Sequence, residues 1–302
     1  MDDILDVLIV GAGPAGLSAA LVLGRARRRV LVFDSGQPRN APSPAAHNVF
    51  TRDGTPPREM LRIGREQLRP YAGVEFRDAE VTDATRDEDG GFTVHLADGS
   101  RFRGRRLLLA SGMREKLPEI EGMRELWGTG VLHCPYCHGW EMRDEPLAVY
   151  GRGEFALEFA GTLRGWSRDL VICSNGPADL GEEDRQKLAR HGIGLTEEPI
   201  ARLEGRNGAL ERIVFADGST LARRALFARF PQRQQSPLAE RLGCVLTDRH
   251  QVETDEYGRT SVPGLYAAGD LARPMQQVIL AAADGTVAAI CLNHELSTEE
   301  FA

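Results

Sequence analysis

The run DVLIV at Asp6–Val10, followed at once by GAGPAG at Gly11–Gly16, constrains this chain more than any other stretch. A short, almost wholly apolar run is what a strand buried on both faces of a parallel sheet requires. Leu17–Arg27 is rich in alanine and leucine at helical spacing, and Val30–Phe33 is a second strand that ends at Asp34. The order is strand, glycine turn, helix, strand, acid. In such a unit Gly11 makes the tight turn, Gly13 lets backbone approach a pyrophosphate, and Gly16 lets the helix pack close to the strand. Pro14 and Ala15 open the helix, whose unpaired N–H groups and positive dipole favour phosphate. Asp34 then stands at the spacing where a carboxylate accepts hydrogen bonds from ribose hydroxyls. A dinucleotide site is the expectation.

The pattern occurs a second time. Leu147–Tyr150 leads into GRGEFA at Gly151–Ala156, a helix to Gly165 and a strand at Leu170–Cys173. At the corresponding spacing stands Ser174, flanked by Cys173 and Asn175, where an NAD site wants an acid and an NADP site wants arginine. Arg152 and Phe155 take loop positions at which small residues normally admit the cofactor. The second copy therefore keeps the fold and lacks much of the nicotinamide chemistry, so a retained structural domain and a working NAD(P)H site are both open.

Between the two copies lies HCPYCHGWE, His133–Glu141. A zinc site needs four ligands, and Cys173, Cys244 and Cys291 are scattered singly, as small buried hydrophobes would be. An odd total of five cysteines does not fit a disulfide scaffold. A redox dithiol is the expectation and no metal is anticipated. The 302 residues suffice for two domains, and the formal net charge of -7 opposes a nucleic-acid or anionic-membrane partner. The opening MDDILDVLIV has no basic segment before an apolar one, and the late apolar run Val278–Leu292 contains Asp284. A cytoplasmic protein with no membrane span is expected.

With TSVPGLYAAGD at Thr260–Asp270 and LLLASG at Leu107–Gly112, the chain resembles the pyridine nucleotide-disulfide oxidoreductases. The dithiol placed just before the second glycine loop is similar to the low-molecular-weight thioredoxin reductases. The string CPYCHGWE resembles the branch of dithiol oxidases that close gliotoxin- and holomycin-type disulfides. What the resemblance implies is an α/β fold of two Rossmann-like nucleotide-binding domains, thioredoxin reductase-like, the second inserted into the first. Residues 1–115 and 245–302 would form the FAD domain, and 116–244 the NAD(P)H-binding-like domain that carries the dithiol.

It further implies that Cys137 faces the flavin, that Cys134 exchanges with substrate, and that His138 takes protons where reductases carry aspartate. An imidazole of ordinary acidity suits that task, although a merely hydrogen-bonded histidine is the alternative. Glu141 could orient His138 or be surface charge, and Trp140 reads as packing. Asp34, Ser35, Arg39, Asn40, Asn48, Ser111, Gly112, Gly269, Asp270, Gln277 and Val278 would join the Gly11–Gly16 loop around FAD, and Gln276 stands where reductases carry arginine. The implied partners are a small dithiol or a thioredoxin-like protein, O2 as acceptor with H2O2 as product, and a second copy of the chain. An NAD(P)H-driven disulfide reductase and a non-catalytic redox sensor are the alternatives.

Overall fold

The computed structural model describes residues 4–302. The chain divides into two compact units: 1–41, 48–114 and 232–302 form the first, and 42–47 with 115–231 the second. It enters the first through β1 (Leu5–Val10), α1 (Pro14–Arg25) and β2 (Val30–Phe33), then α2 (Pro57–Leu68), β3 (Val74–Arg77), β4 (Val81–Arg86), β5 (Phe92–Leu96) and β6 (Arg101–Leu109). After β7 (Met113–Glu115) come β8 (Val131–Leu132), α3 (Pro135–His138), β9 (Leu147–Tyr150), α4 (Gly153–Leu163), β10 (Leu170–Cys173), α5 (Glu182–Arg190), β11 (Gly194–Thr196) and β12 (Ile200–Arg206). The chain continues through β13 (Ala209–Phe215), β14 (Thr220–Ala222), β15 (Ala225–Ala228), β16 (Gln232–Gln234), α6 (Leu238–Arg241), β17 (Leu265–Ala267) and α7 (Val278–Phe301).

In the first unit the sheet runs β3-β2-β1-β6-β5-β4, with β17 also on β6. β6 changes partner along its length: Arg101–Gly104 lies antiparallel to β5, whereas Leu107–Leu109 lies parallel to β17. The parallel half, β3-β2-β1-β6-β17, is the nucleotide-binding arrangement expected from the first glycine loop. Val7, Ile9, Val30 and Val32 bury one face against α1 and α7; Leu8, Leu31 and Phe33 bury the other. Two glycines let α1 pack tightly at its N-terminus. A Cβ on Gly16 would stand 1.8 Å from the Gly11 carbonyl oxygen, and one on Gly285 would stand 2.0 Å from the Ala15 carbonyl oxygen. Either contact is far inside van der Waals range.

α7 is long and apolar enough to meet the length and composition test for a membrane span. Its Ala281, Gly285, Ala288, Ala289, Leu292 and Leu296 line is instead buried on the core side. Arg28, itself buried, fixes the end of this helix by donating to Asn293 Oδ1, Ser297 Oγ and both Glu300 oxygens at 2.6–2.8 Å.

The second unit is built on the parallel sheet β11-β10-β9-β15-β8, with the antiparallel sheet β12-β13-β14 beside it. Val149, Ala156, Phe159, Ile172 and Phe227 form one side of its core. The expected return to the first unit at 245 falls at Gln232. The cause is α6, whose Leu238 and Ala239 bury among Leu8, Phe33, Val81 and Val252, so the residues before 245 already belong to the first core.

Candidate active site

The first glycine loop has the geometry its sequence demands. Gly11 adopts φ +107°, which side chains disfavour, and a Cβ there would meet the Ala110 carbonyl oxygen at 2.4 Å. At Gly13 nothing lies within 4 Å of a Cβ position, which leaves the loop open for a ligand to reach backbone. Gly13 is the N-cap of α1 without a side-chain cap, and Pro14 occupies the first turn. The first-turn amides are thus available to an anion.

Asp34 follows β2, but its carboxylate already has partners: Arg65 Nη2 at 2.5 Å and the Gly36 N–H at 3.2 Å. A ribose would therefore meet an Asp34–Arg65 pair rather than a lone acid. Arg39 and Asp270, far apart in sequence, are brought together as an ion pair at 2.7 Å. Asp270 lies in a 3₁₀ turn, Gly269–Leu271, directly after β17. Ser111 and Gly112 follow β6, both half-buried, and Gly112 O accepts from Gln235 N. Asn40 is half-buried; Ser35 and Asn48 are exposed, and the Asn48 N–H donates to Asp53. Gln277 is the N-cap of α7 in extended conformation, with Val278 first in the helix and no side chain capping it. Gln276 exchanges hydrogen bonds with Gln232 and donates to Asp270 O. These residues fit a dinucleotide: an open glycine loop and uncapped α1 amides would hold its phosphates, while Asp34 and Asp270 offer carboxylates to its hydroxyls.

Cys134 and Cys137 form a disulfide. Cys134 is the N-cap of α3, and its Sγ accepts the Cys137 N–H at 3.1 Å. That bond favours a Cys134 thiolate over a thiol when the disulfide opens. The turn is held by Gly139, where a Cβ would meet the Trp166 ring at 2.8 Å and the Pro135 carbonyl at 2.5 Å. Tyr136 packs edge-on against Trp166, and His133 lies against Trp127. Trp140, read from sequence as packing, is 66% exposed with the Arg143 guanidinium stacked on its ring.

His138 ends α3 and is half-buried. Its acidity differs from the ordinary imidazole expected. Burial, aided by the charge of His47, lowers its pKa to about 4. The ring is thus a neutral acceptor throughout the physiological range. Glu141 does not orient His138 in the manner considered; it faces His47 Nε2 at 3.4 Å. Sequence gave no sign of His47, since PSPAAH at Pro42–His47 has neither period nor motif.

The second glycine loop is filled by its own side chains. Arg152 folds back so that Nε donates to Ser174 O at 2.8 Å and Nη2 to Asn175 O. Phe155 stacks on Phe159 and covers Gly151, where a Cβ would stand 2.9 Å from the ring. Ser174 is buried, its hydroxyl donating to the Gly176 and Thr196 carbonyls. Of the lone cysteines, Cys173 and Cys244 are buried and Cys291 is half-buried; burial pushes the Cys173 thiol up to about 12, so it is inert at neutral pH.

The family profile described as pyridine nucleotide-disulphide oxidoreductase matches residues 5–285. Thioredoxin reductase sirT of Leptosphaeria maculans is 31% identical over 97% of this chain and 94% of its own. Among solved structures, HlmI is 40% identical with TM-score 0.94, covering 100% of this chain and 96% of that one. An oxidoreductase from Agrobacterium tumefaciens is 34% identical with TM-score 0.92, covering 98% and 99%.

Proposed function

Because the chain belongs to the flavin-dependent pyridine nucleotide-disulphide oxidoreductase family and is thioredoxin reductase-like, we propose that it is an FAD-dependent dithiol oxidase. The observation that carries the chemistry is the Cys134–Cys137 disulfide at the start of α3, with the neutral imidazole of His138 directly after it. A substrate thiol gives its proton to His138 and, as thiolate, attacks Cys134; Cys137 leaves. The second substrate thiol then attacks the mixed disulfide at the substrate sulfur, its proton passing to the departing Cys134 sulfur. Cys134 leaves in that step, helped by the Cys137 N–H that its sulfur already accepts. Gly11, Gly13, Asp34 and Asp270 would hold FAD, which when bound would supply the electron sink, with O2 as the proposed final acceptor and H2O2 as product.

What favours this direction over NAD(P)H-driven reduction is the closed second loop, in which Arg152 and Phe155 stand where a nucleotide would approach. The relatives named thioredoxin reductase support the opposite direction, with a thioredoxin-like protein as substrate. We assign the discontinuous first unit to FAD and the inserted unit to the dithiol. The enzyme is taken to be a homodimer on the family resemblance, and cytoplasmic, where thiols are kept reduced.

Anaerobic mixing of the FAD-loaded protein with dithiothreitol, NADPH and NADH separates the directions. Fast bleaching by dithiothreitol alone is expected. Fast bleaching by NADPH or NADH at micromolar concentration hands the decision to the reductase, and a protein that neither contains nor takes up FAD removes the proposal.

A further inference from the structure

Asp34 and Asp78 stand just past neighbouring parallel strands, β2 and β3, whose last pair in register is Phe33 with Arg77. Arg65, in the last turn of α2, reaches both carboxylates. Its Nη2 donates to Asp34 Oδ2 at 2.5 Å and its Nη1 to Asp78 Oδ1 at 2.8 Å. The guanidinium also lies over the Phe76 ring, 5.0 Å from the centroid. Arg65 is thus fixed on one face by an aromatic ring and at both terminal nitrogens by acids. Asp34 Oδ1 accepts the Gly36 N–H at 3.2 Å, so each oxygen of this carboxylate is tied to a donor. An ionised carboxylate has about four acceptor directions, which leaves roughly two open. Arg77, the next residue after Phe76 in β3, turns to the other face of the sheet, where its guanidinium lies over Phe102. On the Phe76 face two carboxylates therefore share the Arg65 guanidinium.

A carboxylate serves a ribose only when its open lone pairs point at the hydroxyls, because a hydrogen bond weakens steeply as it leaves the line of its donor. Resting on the reading of the first glycine loop as an FAD site, we propose that Arg65 is a positioning residue: it holds the Asp34 carboxylate for the adenosine ribose and makes that end of the site select a free 2′-hydroxyl. Orientation comes from Nη2, which pins one Asp34 oxygen while the Gly36 N–H pins the other. Selection comes from charge. With Nη1 on Asp78 and Nη2 on Asp34, the guanidinium is already divided between two anions. A 2′-phosphate would add roughly 1.5–2 negative charges beside them, and like charges oppose it. A hydroxyl adds none, and it donates to the lone pairs that Asp34 keeps.

Calorimetric titration of the full-length, flavin-stripped protein with FAD, 5′-AMP, 2′-deoxy-5′-AMP and adenosine 2′,5′-bisphosphate tests this; the last three differ only at the 2′ position. The wild type is expected to bind FAD and to prefer 5′-AMP to both of its relatives. Arg65→Met keeps an unbranched stem over Phe76 and loses the donors. It is expected to weaken FAD binding on the order of 10-fold, as loss of a charge-assisted hydrogen bond does, and to bring 5′-AMP and 2′-deoxy-5′-AMP to nearly equal affinity. Arg65→Lys is expected to recover part of both effects. Asp78→Asn, on an exposed carboxylate, leaves Arg65 with one anion and is expected to narrow the gap between 5′-AMP and the bisphosphate. An arginine with only a structural role would lower all affinities together and leave their ratios alone. A ratio of 5′-AMP to 2′-deoxy-5′-AMP affinity unmoved in Arg65→Met, or a wild type that binds the bisphosphate as tightly as 5′-AMP, overturns the proposal. If the wild type binds 5′-AMP but takes up no FAD, the FAD reading falls, and the ratio in Arg65→Met still decides the role of Arg65.

Discussion

Replacing His138 with glutamine removes the group to which we assign the proton chemistry of the dithiol step and whose displaced acidity makes folding depend on pH. In the oxidised protein its pKa is held at about 4, first by burial and then by His47, against 6.5 for an ordinary histidine. Between those two values the unfolded chain binds a proton at His138 that the folded chain refuses, so stability falls as pH drops from 6.5 toward 4. A shift of this size corresponds to roughly 3 kcal/mol as an upper bound, at about 1.4 kcal/mol per pH unit. Unfolding of the oxidised protein by urea at pH 7 and pH 4.5 reads most of it, and His138→Gln is expected to flatten the difference.

The same substitution should slow anaerobic flavin reduction by dithiothreitol by a factor on the order of 10² to 10⁴, roughly 3–5 kcal/mol in the barrier. No ionisation of His138 should appear in the rate profile of the wild type between pH 5.5 and 9, because the ring is already neutral there. A His138 resonance titrating near 6.5, or a variant that keeps both the wild-type rate and the wild-type acid sensitivity, would refute the reasoning.

Gly285→Ala places a methyl carbon 2.0 Å from the Ala15 carbonyl oxygen; overpacking of this kind costs about 1–3 kcal/mol or more, and the expected result is loss of bound FAD, measured as the ratio of flavin to protein absorbance. Arg28→Ala removes the donors that fix the end of α7 to Asn293, Ser297 and Glu300, so Tm should fall and amide exchange in the last turns of that helix should quicken while dithiol turnover is kept. Cys134→Ser and Cys137→Ser should each abolish dithiol turnover with FAD content unchanged. Turnover surviving in either single variant would exclude the disulfide from the reaction.

Much of the architecture was legible because it is dictated locally. The apolar runs at Asp6–Val10 and Leu147–Tyr150 can be buried only as central strands, and Gly11 and Gly16 stand where backbone approaches backbone with no room for a Cβ. The spacing of Cys134, the N-cap of α3, and Cys137, within it, likewise brings the two sulfurs within reach of each other. What the tertiary structure decided are pairings between residues far apart in the chain. Pro42–His47 carries no periodic signal, yet its seat on Gly128 brings His47 to Glu141. Arg65 answers Asp34 across a helix, and Arg152 closes the loop it was expected only to crowd. The return at Gln232 was set by where Leu238 and Ala239 find a core. The acidity of His138 belongs to the same class, since burial and the charge of His47 are properties of its surroundings. Sequence specifies the short-range sterics that build strands, turns and the dithiol helix, whereas desolvation and charge arise only once distant segments have been packed together.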